Sequence, residues 1–275
     1  MTPAVSVVMS TVRFDSHLEQ AVRSVLDDDG SLAGGVEVVL VADGVRDQPP
    51  DWISTDPRIT WVELPGRVGT PRALNRGLEA ARGELVARLD ADDLCRRGRL
   101  RAQRDFLADH QDVAVVGSTA VLVDTDGRQL GRFGRAIASP DMGEVLSRRN
   151  PFVHSSVMYR RSAVLEAGGY NVDCVRMQDY ELFLRLALHG HGLEILGDAL
   201  VSYRVHPQQS SRNSPPRGPG FRTILRRRRE LGVLVGRGRV SIMSSQASWV
   251  AAQQLRHLGL RKPGHLRQGL EGRPS

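Results

Sequence analysis

Apolar and polar positions follow two rhythms along this chain. Val5 to Met9 is a short apolar run, followed by a stretch from His17 to Leu26 in which Leu18, Ala21, Val22 and Val25 recur at helical spacing. Val36 to Val41 and Ile59 to Glu63 are β-branched runs, separated by a loop holding Asp43, Gly44, Pro49 and Pro50. Thr70-Pro71 opens a helix with proline at its first position, Ala73, Leu74, Gly77, Leu78 and Ala81 form its apolar face, and Gly83 closes it. Leu85 to Leu89 is the next strand, and it runs into Asp90-Ala91-Asp92-Asp93. A helix from about Arg99 to Ala108 leads to strands at Val113 to Ser118 and Ala120 to Val123, then to the turn Asp124 to Gly127. Ser162 to Ala167 and Asp179 to His189 read as two more helices, each closed by glycine.

Alternating strands and helices predict an α/β fold: a mainly parallel central sheet flanked by helices, with ligands beyond the carboxyl ends of the strands. The acidic cluster at 90–93 lies at such an end. The catalytic fold is expected to end near Arg204, giving a domain over 1–210. A Ser/Pro/Gly/Arg-rich linker then leads into a basic tail over 211–275, helical or partly disordered.

Charge sharpens this division. The net charge of +7 combines −5 over residues 1–211 with +12 over 212–275, where Glu230 and Glu271 are the only acids. A basic pI therefore describes the tail and not the domain with the acidic cluster. The start of the chain lacks a basic segment followed by an apolar core, and no apolar run approaches the ~20 residues of a membrane span. A cytoplasmic location is expected, with peripheral contact to the inner face of the membrane through the tail. A basic helix presenting Arg226 to Arg229 to anionic head groups would make that contact, and nucleic acid is not expected as a partner. Cys95 and Cys174 have no metal-type spacing and are expected to be reduced bystanders.

Two carboxylates two residues apart at a strand end suit Mg²⁺ or Mn²⁺, with phosphate oxygens and waters completing the shell. Such clusters also cap helices or face water, so the acids alone leave both readings open. The wider stretch GTPRALNRGLEAARGELVARLDADDLCRRGRL, from Gly69 to Leu100, resembles the signature of family-2 glycosyltransferases of the GT-A fold. VSVVMST and VEVVLVADG resemble that family's first two strands and nucleotide loops. NPFVHSSVMYRRSAVLEAGGY, QDYELFLRLALHG and LVSYRVHP resemble its acceptor-side segments, in order, so the resemblance spans about residues 4 to 210.

The resemblance implies an inverting transferase that moves a sugar from a metal-bound nucleotide diphosphate sugar to an acceptor hydroxyl. The acceptor itself, whether glycan, lipid-linked or small molecule, stays open. Thr11 and Asp43 would contact the base or ribose, with Arg72 in the same pocket. Asp90 would bind the ribose or sugar, Asp92 the metal, and His206 the metal or diphosphate. His154 would line the acceptor or sugar pocket, and Asp179 would be the catalytic base. The chain departs from the family pattern at Ala42-Asp43, where one acid is missing, at Val12-Arg13, and at Gln178-Asp179, where a Glu-Asp pair is usual. Alternative readings are a sugar-phosphate nucleotidyltransferase and a non-catalytic protein that binds nucleotide sugar or membrane. The first normally needs a glycine-rich loop where Ser10-Thr11-Val12-Arg13 stands, and no G-x-G-x-x-G supports dinucleotide chemistry.

Overall fold

The computed structural model describes residues 3–28, 32, 34–206 and 218–257. The elements are β1 (Val5–Thr11), α1 (Ser16–Leu26), β2 (Val36–Asp43), α2 (Asp51–Ser54), β3 (Ile59–Leu64), α3 (Thr70–Ala80), β4 (Leu85–Arg88) and β5 (Leu94–Cys95). They continue with α4 (Arg99–Asp109), β6 (Val113–Val123), β7 (Gln129–Phe133), α5 (Ser139–Arg148), β8 (Met158–Arg160), α6 (Arg161–Glu166), α7 (Gln178–Leu188), β9 (Gly192–Arg204), α8 (Pro219–Leu234) and α9 (Arg239–His257).

One twisted sheet runs in the order β3-β2-β1-β4-β8-β6-β9-β5, with β7 alongside β6. Strands β1 to β4 are parallel, as are the long β6 and β9. The three-residue β8 joins these two parallel parts, antiparallel to both β4 and β6. Strand period explains why β1 and β2 read as continuous apolar runs. Val8, Val39 and Val41 enter a core under α3, α5 and α7, while Val5, Val7, Val38 and Leu40 enter another under α1 and α4. Both faces are covered, so both sets of side chains are apolar.

Local chemistry places the helices. The Asp15 carboxylate caps α1 by accepting from the Leu18 amide at 3.0 Å. Pro71 starts α3, and Gly77 lets that helix lie against β1, since a Cβ there would collide with Val8. Two buried polar residues of α4 bind the sheet to the turn after it. Arg99 donates to the carbonyls of Arg88 and Val157, and Gln103 to those of Val116 and Ser156.

Several expectations need correcting. The runs at 113–118 and 120–123 form a single strand, because all eleven residues of β6 are buried. The division after residue 210 does not separate two structures: Ile224 and Leu231 of α8 share an apolar cluster with Leu182, Leu184 and Leu186 of α7. Most of the expected linker, 210–217, lies outside the described residues, as does 258–275. Nor do Arg226 to Arg229 face solvent together. Successive helix positions turn by ~100°, so Arg228 is directed inward, over the Trp249 ring at 4.4 Å. Arg227 reaches the buried Glu181 at 2.7 Å. Both cysteines are free and buried. Among the described residues, no helix is long and apolar enough to cross a membrane.

Candidate functional site

Strand order reverses at β1, with β2 and β3 on one side and β4 on the other, which opens a crevice at the strands' carboxyl ends. Thr11 ends β1 in register with Ala42, so Asp43 sits beside it at the end of β2. Both are buried. The Thr11 hydroxyl turns back to the Arg13 carbonyl at 2.5 Å. Asp43 accepts from the amides of Val68 and Gly69 at 2.6 and 3.0 Å, which fixes the loop leading into α3. Gly44 has φ +74°, and a Cβ there would meet the Arg67 backbone nitrogen at 2.6 Å, so only glycine allows this close approach. Arg72 follows on the first turn of α3, exposed.

The turn after β4 is held from three directions. One Asp90 oxygen pairs with Arg88, and the other accepts from the Ser155 hydroxyl at 2.8 Å. Burial alone would raise the Asp90 pKa, but the charges of Arg88 and His154 and the bond from Ser155 hold it below the usual value. Asp92 meets His206, just beyond β9, with Oδ2 2.8 Å from Nε2. Asp93 is buried and accepts from the Arg204 amide at 2.7 Å. Burial, then the charges of Asp92 and Asp90, push its pKa well up, so two carboxyls three residues apart are shifted in opposite senses.

On the far side, Ser155 belongs to a short 3₁₀ turn, His154–Ser156, which also carries His154. His154 Nε2 lies 3.0 Å from the Tyr170 hydroxyl. Burial, with Arg88 adding to it against the opposing Asp179 and Asp90, lowers the His154 pKa to about 4, so the ring is neutral near pH 7. Asp179 stands in the first turn of α7 and accepts from Asn150 Nδ2 at 2.8 Å. Immediately before that helix Met177 takes φ 56°, the only positive φ outside glycine among the described residues.

Tyr203 of β9 ties the two sides together. Its phenol pKa is raised by burial first, and then by Asp93, Asp90, Asp92 and Asp179. The donor-side acids and the expected base therefore share one electrostatic environment. Arg88 offsets part of its negative charge, and a diphosphate meeting the remaining carboxylates would be repelled unless a cation came with it. Asp92 and His206, in contact with each other, bring a carboxylate oxygen and an imidazole nitrogen together, atom types that bind divalent ions. Among the described residues no group of three or more His, Cys, Asp or Glu could hold a metal, so the remaining ligands would have to come from the donor and water.

The site residues named from sequence thus fall into two neighbourhoods: Thr11, Asp43 and Arg72 at the ends of β1 and β2, and Asp90, Asp92, His154, Asp179 and His206 around the cleft. Sequence reasoning passed over Arg88, Asn150, Ser155, Tyr203 and Arg204. Arg204 is buried and donates to the carbonyls of Asp92 at 2.8 Å and Thr125 at 2.7 Å, fixing the acidic turn against the end of β6. A signal existed for both arginines, since each is a charged residue inside an apolar strand.

The family model described as Glycosyl transferase family 2 matches residues 6–168. The match includes Asp90, Asp92 and His154 and ends before Asp179 and His206. The amylovoran biosynthesis glycosyltransferase AmsE of Erwinia amylovora is 32% identical over 175 residues, 62% of this chain and 64% of that protein. The chain thus spans just under two thirds of that relative's length. The UDP-Gal:alpha-D-GlcNAc-diphosphoundecaprenol beta-1,3-galactosyltransferase of Escherichia coli is 25% identical over 217 residues, 77% of this chain and 78% of that one. The structure is similar to S. aureus TarS 1-349 in complex with UDP, with a TM-score of 0.66 at 17% identity over 91% of this chain and 71% of that one. That likeness gives the fold.

Proposed function

The chain belongs to glycosyl transferase family 2, and from that premise we propose that it is an inverting transferase acting on a nucleoside diphosphate sugar, with Asp179 as its base. The reading rests above all on the segment from Asn150 to Ser155, whose Asn150 bonds Asp179 of α7 while its Ser155 bonds Asp90 of the acidic turn after β4. An acceptor hydroxyl entering between them loses its proton to Asp179 as its oxygen attacks the anomeric carbon. The bond to the diphosphate breaks on the opposite face, so the configuration inverts. Asp90, held by Arg88 and Ser155, receives the ribose or sugar hydroxyls, and the pocket by Thr11, Asp43 and Arg72 receives the base. Neutral His154 lines the sugar side as a hydrogen-bonding group.

Asp92 and His206 would hold Mn²⁺ or Mg²⁺. A divalent cation there supplies Lewis-acid stabilisation of the departing diphosphate. A uridine nucleotide is the donor to test first, because relatives and structural neighbours are named for UDP or UDP-sugars. The relatives' names, one from amylovoran biosynthesis and one acting on a diphosphoundecaprenol-linked sugar, favour a glycan acceptor carried on lipid. Calorimetry of UDP binding with Mn²⁺ and with chelator tests the donor site: binding is expected to depend on the metal. Equal affinities would remove the cation from the reading, and no binding in either would remove the nucleotide.

A further inference from the structure

The largest feature that sugar transfer leaves unused lies at the other end of α7. Among the described residues, the exposed large apolar side chains concentrate on the α8–α9 hairpin: Val233, Leu234, Val235, Val240, Met243 and Leu255. Val240 and Met243 are 81% and 70% exposed. The turn between the helices, 235–238, and the helix ends beside it carry all of these apolar side chains except Leu255, so they form an apolar tip at one end of the hairpin. A groove of about 600 Å³ beside it is lined by Leu188, Val233 and Leu234 and edged by Arg226, Arg229 and Glu230.

The outward face of α8 is basic. Arg222, Arg226 and Arg229 recur at i, i+4 and i+7, all exposed, and Val233 continues the same stripe. Glu230, in loose contact with Arg226 at 3.7 Å, is the one acid on α8. The hairpin is braced from within, with Phe221 stacked on Trp249 at 5.3 Å and Arg228 over the same indole. Arg237, in the turn, donates to the Ser147 hydroxyl of α5 at 2.8 Å. Tip and stripe are therefore presented as one fixed surface.

We propose that the α8–α9 hairpin docks on an anionic lipid bilayer. Arg222, Arg226 and Arg229 meet the head groups, and the tip from Val233 to Met243 enters the boundary between head groups and acyl chains. Charge beside an apolar tip is what such a surface requires. A phosphate backbone offers nothing to the apolar tip, and a symmetric pair of copies would bring the arginine stripes against each other. The apolar tip lies at the carboxyl end of α7, beside Leu188, and Asp179 at its start, about 14 Å away along the helix axis. The inference does not depend on the transfer reading.

Co-sedimentation of the full chain with phosphatidylcholine vesicles, with and without phosphatidylglycerol, tests it at low and physiological salt. Binding is expected to need phosphatidylglycerol and to weaken with salt. The variant R222E/R226E/R229E is expected to bind about 100-fold more weakly, and V233S/L234S/M243S to lose what binding survives at physiological salt. Both should melt with the wild-type protein, since every altered side chain is exposed. Failure to bind at low salt overturns the proposal. So does wild-type binding by the charge-reversed variant, which would assign attraction to residues 258–275. A dimer that the apolar variant dissociates, without vesicle binding by the wild type, overturns it in favour of self-association.

Discussion

Asp43 and Asp90, at the ends of β2 and β4, and Asp179 of α7 are held in opposite ways. Asp43 has both oxygens taken by backbone amides, and Asp90 has one fixed by Arg88 and the other by Ser155, whereas Asp92 and Asp93 each meet one partner. Asp179 is half-buried and accepts one hydrogen bond, from Asn150, so its second oxygen has no protein partner among the described residues. Groups that orient a donor without changing charge gain from such fixing, because reorganisation is avoided when the ligand arrives. A group that must take up a proton needs a free lone pair directed at the acceptor. On the proposed reading, fixed Asp43 and Asp90 and open Asp179 correspond to two chemical duties.

The strongest way to break this comparison is to exchange the acids of α7. Asp179→Asn is expected to lower turnover by ~10²- to 10⁴-fold while leaving UDP affinity nearly unchanged. Glu181, two residues on, offers the contrast. It is wholly buried, with Arg185 at 2.8 Å and Arg227 of α8 at 2.7 Å, so it holds α8 to the domain. Removing one partner of such a buried pair costs ~3–5 kcal/mol. Glu181→Gln is therefore expected to lower Tm by about 10 °C, with turnover per folded molecule retained. Steady-state rates beside melting curves decide the matter: if Glu181→Gln keeps its Tm and loses turnover, the two roles are reversed.

The same contrast marks what could be read from sequence. In β1 to β4, β-branched runs, Pro71 and a strand-end acid cluster all point to one arrangement, and the parallel part of the sheet follows from them. Beyond β6 the signals are tertiary. The three residues of β8 become a strand only between β4 and β6, and β9 interrupts its apolar pattern with Glu194 and Asp198. Arg88 and Arg204 were passed over because arginine is expected at the surface. The burial of Arg204 is offset by carbonyls brought from distant segments, which no local window contains, and that of Arg88 by its chain neighbours Leu89 and Asp90. The Arg226–Arg229 run misled for a related reason: four like charges suggest one face, but helical rotation sends Arg228 into the core.

His154 makes the comparison pH-dependent, with a smaller effect. Its folded pKa of about 4 lies below the unfolded value of ~6.5. Between those values the unfolded chain binds a proton that the folded chain does not, so stability is lost as pH falls from about 6.5 towards 4. The residue is partly exposed, and over the ~1.5 pH units from 6.5 to 5 the loss is at most about 2 kcal/mol. Denaturant unfolding of the wild type and His154→Gln at pH 7 and pH 5 measures it. The variant is expected to lose less stability than the wild type over that interval, and equal losses would show that the ring is protonated in the folded protein as readily as in the unfolded one.

The smallest expected effect sharpens the comparison most, because it concerns the one contact that the open acid has. Asn150 Nδ2 donates to Asp179, and its Oδ1 accepts from the Phe152 amide at 3.1 Å, which fixes which way the amide faces. With Asp179 as the proposed base, Asn150 would be a positioning residue, holding one of its oxygens and leaving the other for the acceptor. A hydrogen bond to a charged group contributes ~1.5–3 kcal/mol, yet Asp179 can still reach its position without the bond, so Asn150→Ala is expected to lower kcat by about tenfold. KM for the donor should stay constant, since the donor-side acids have their own partners. A merely structural role would give a different pattern, with falling Tm and the same fractional loss whatever stands at 179. The double variant Asn150→Ala/Asp179→Asn separates these outcomes. If Asn150 acts through Asp179, removing it from a chain that already lacks the base costs nothing further in residual turnover. If the tenfold loss persists in that background, Asn150 acts on the acceptor or the fold directly, and the acceptor side is no more open than the donor side.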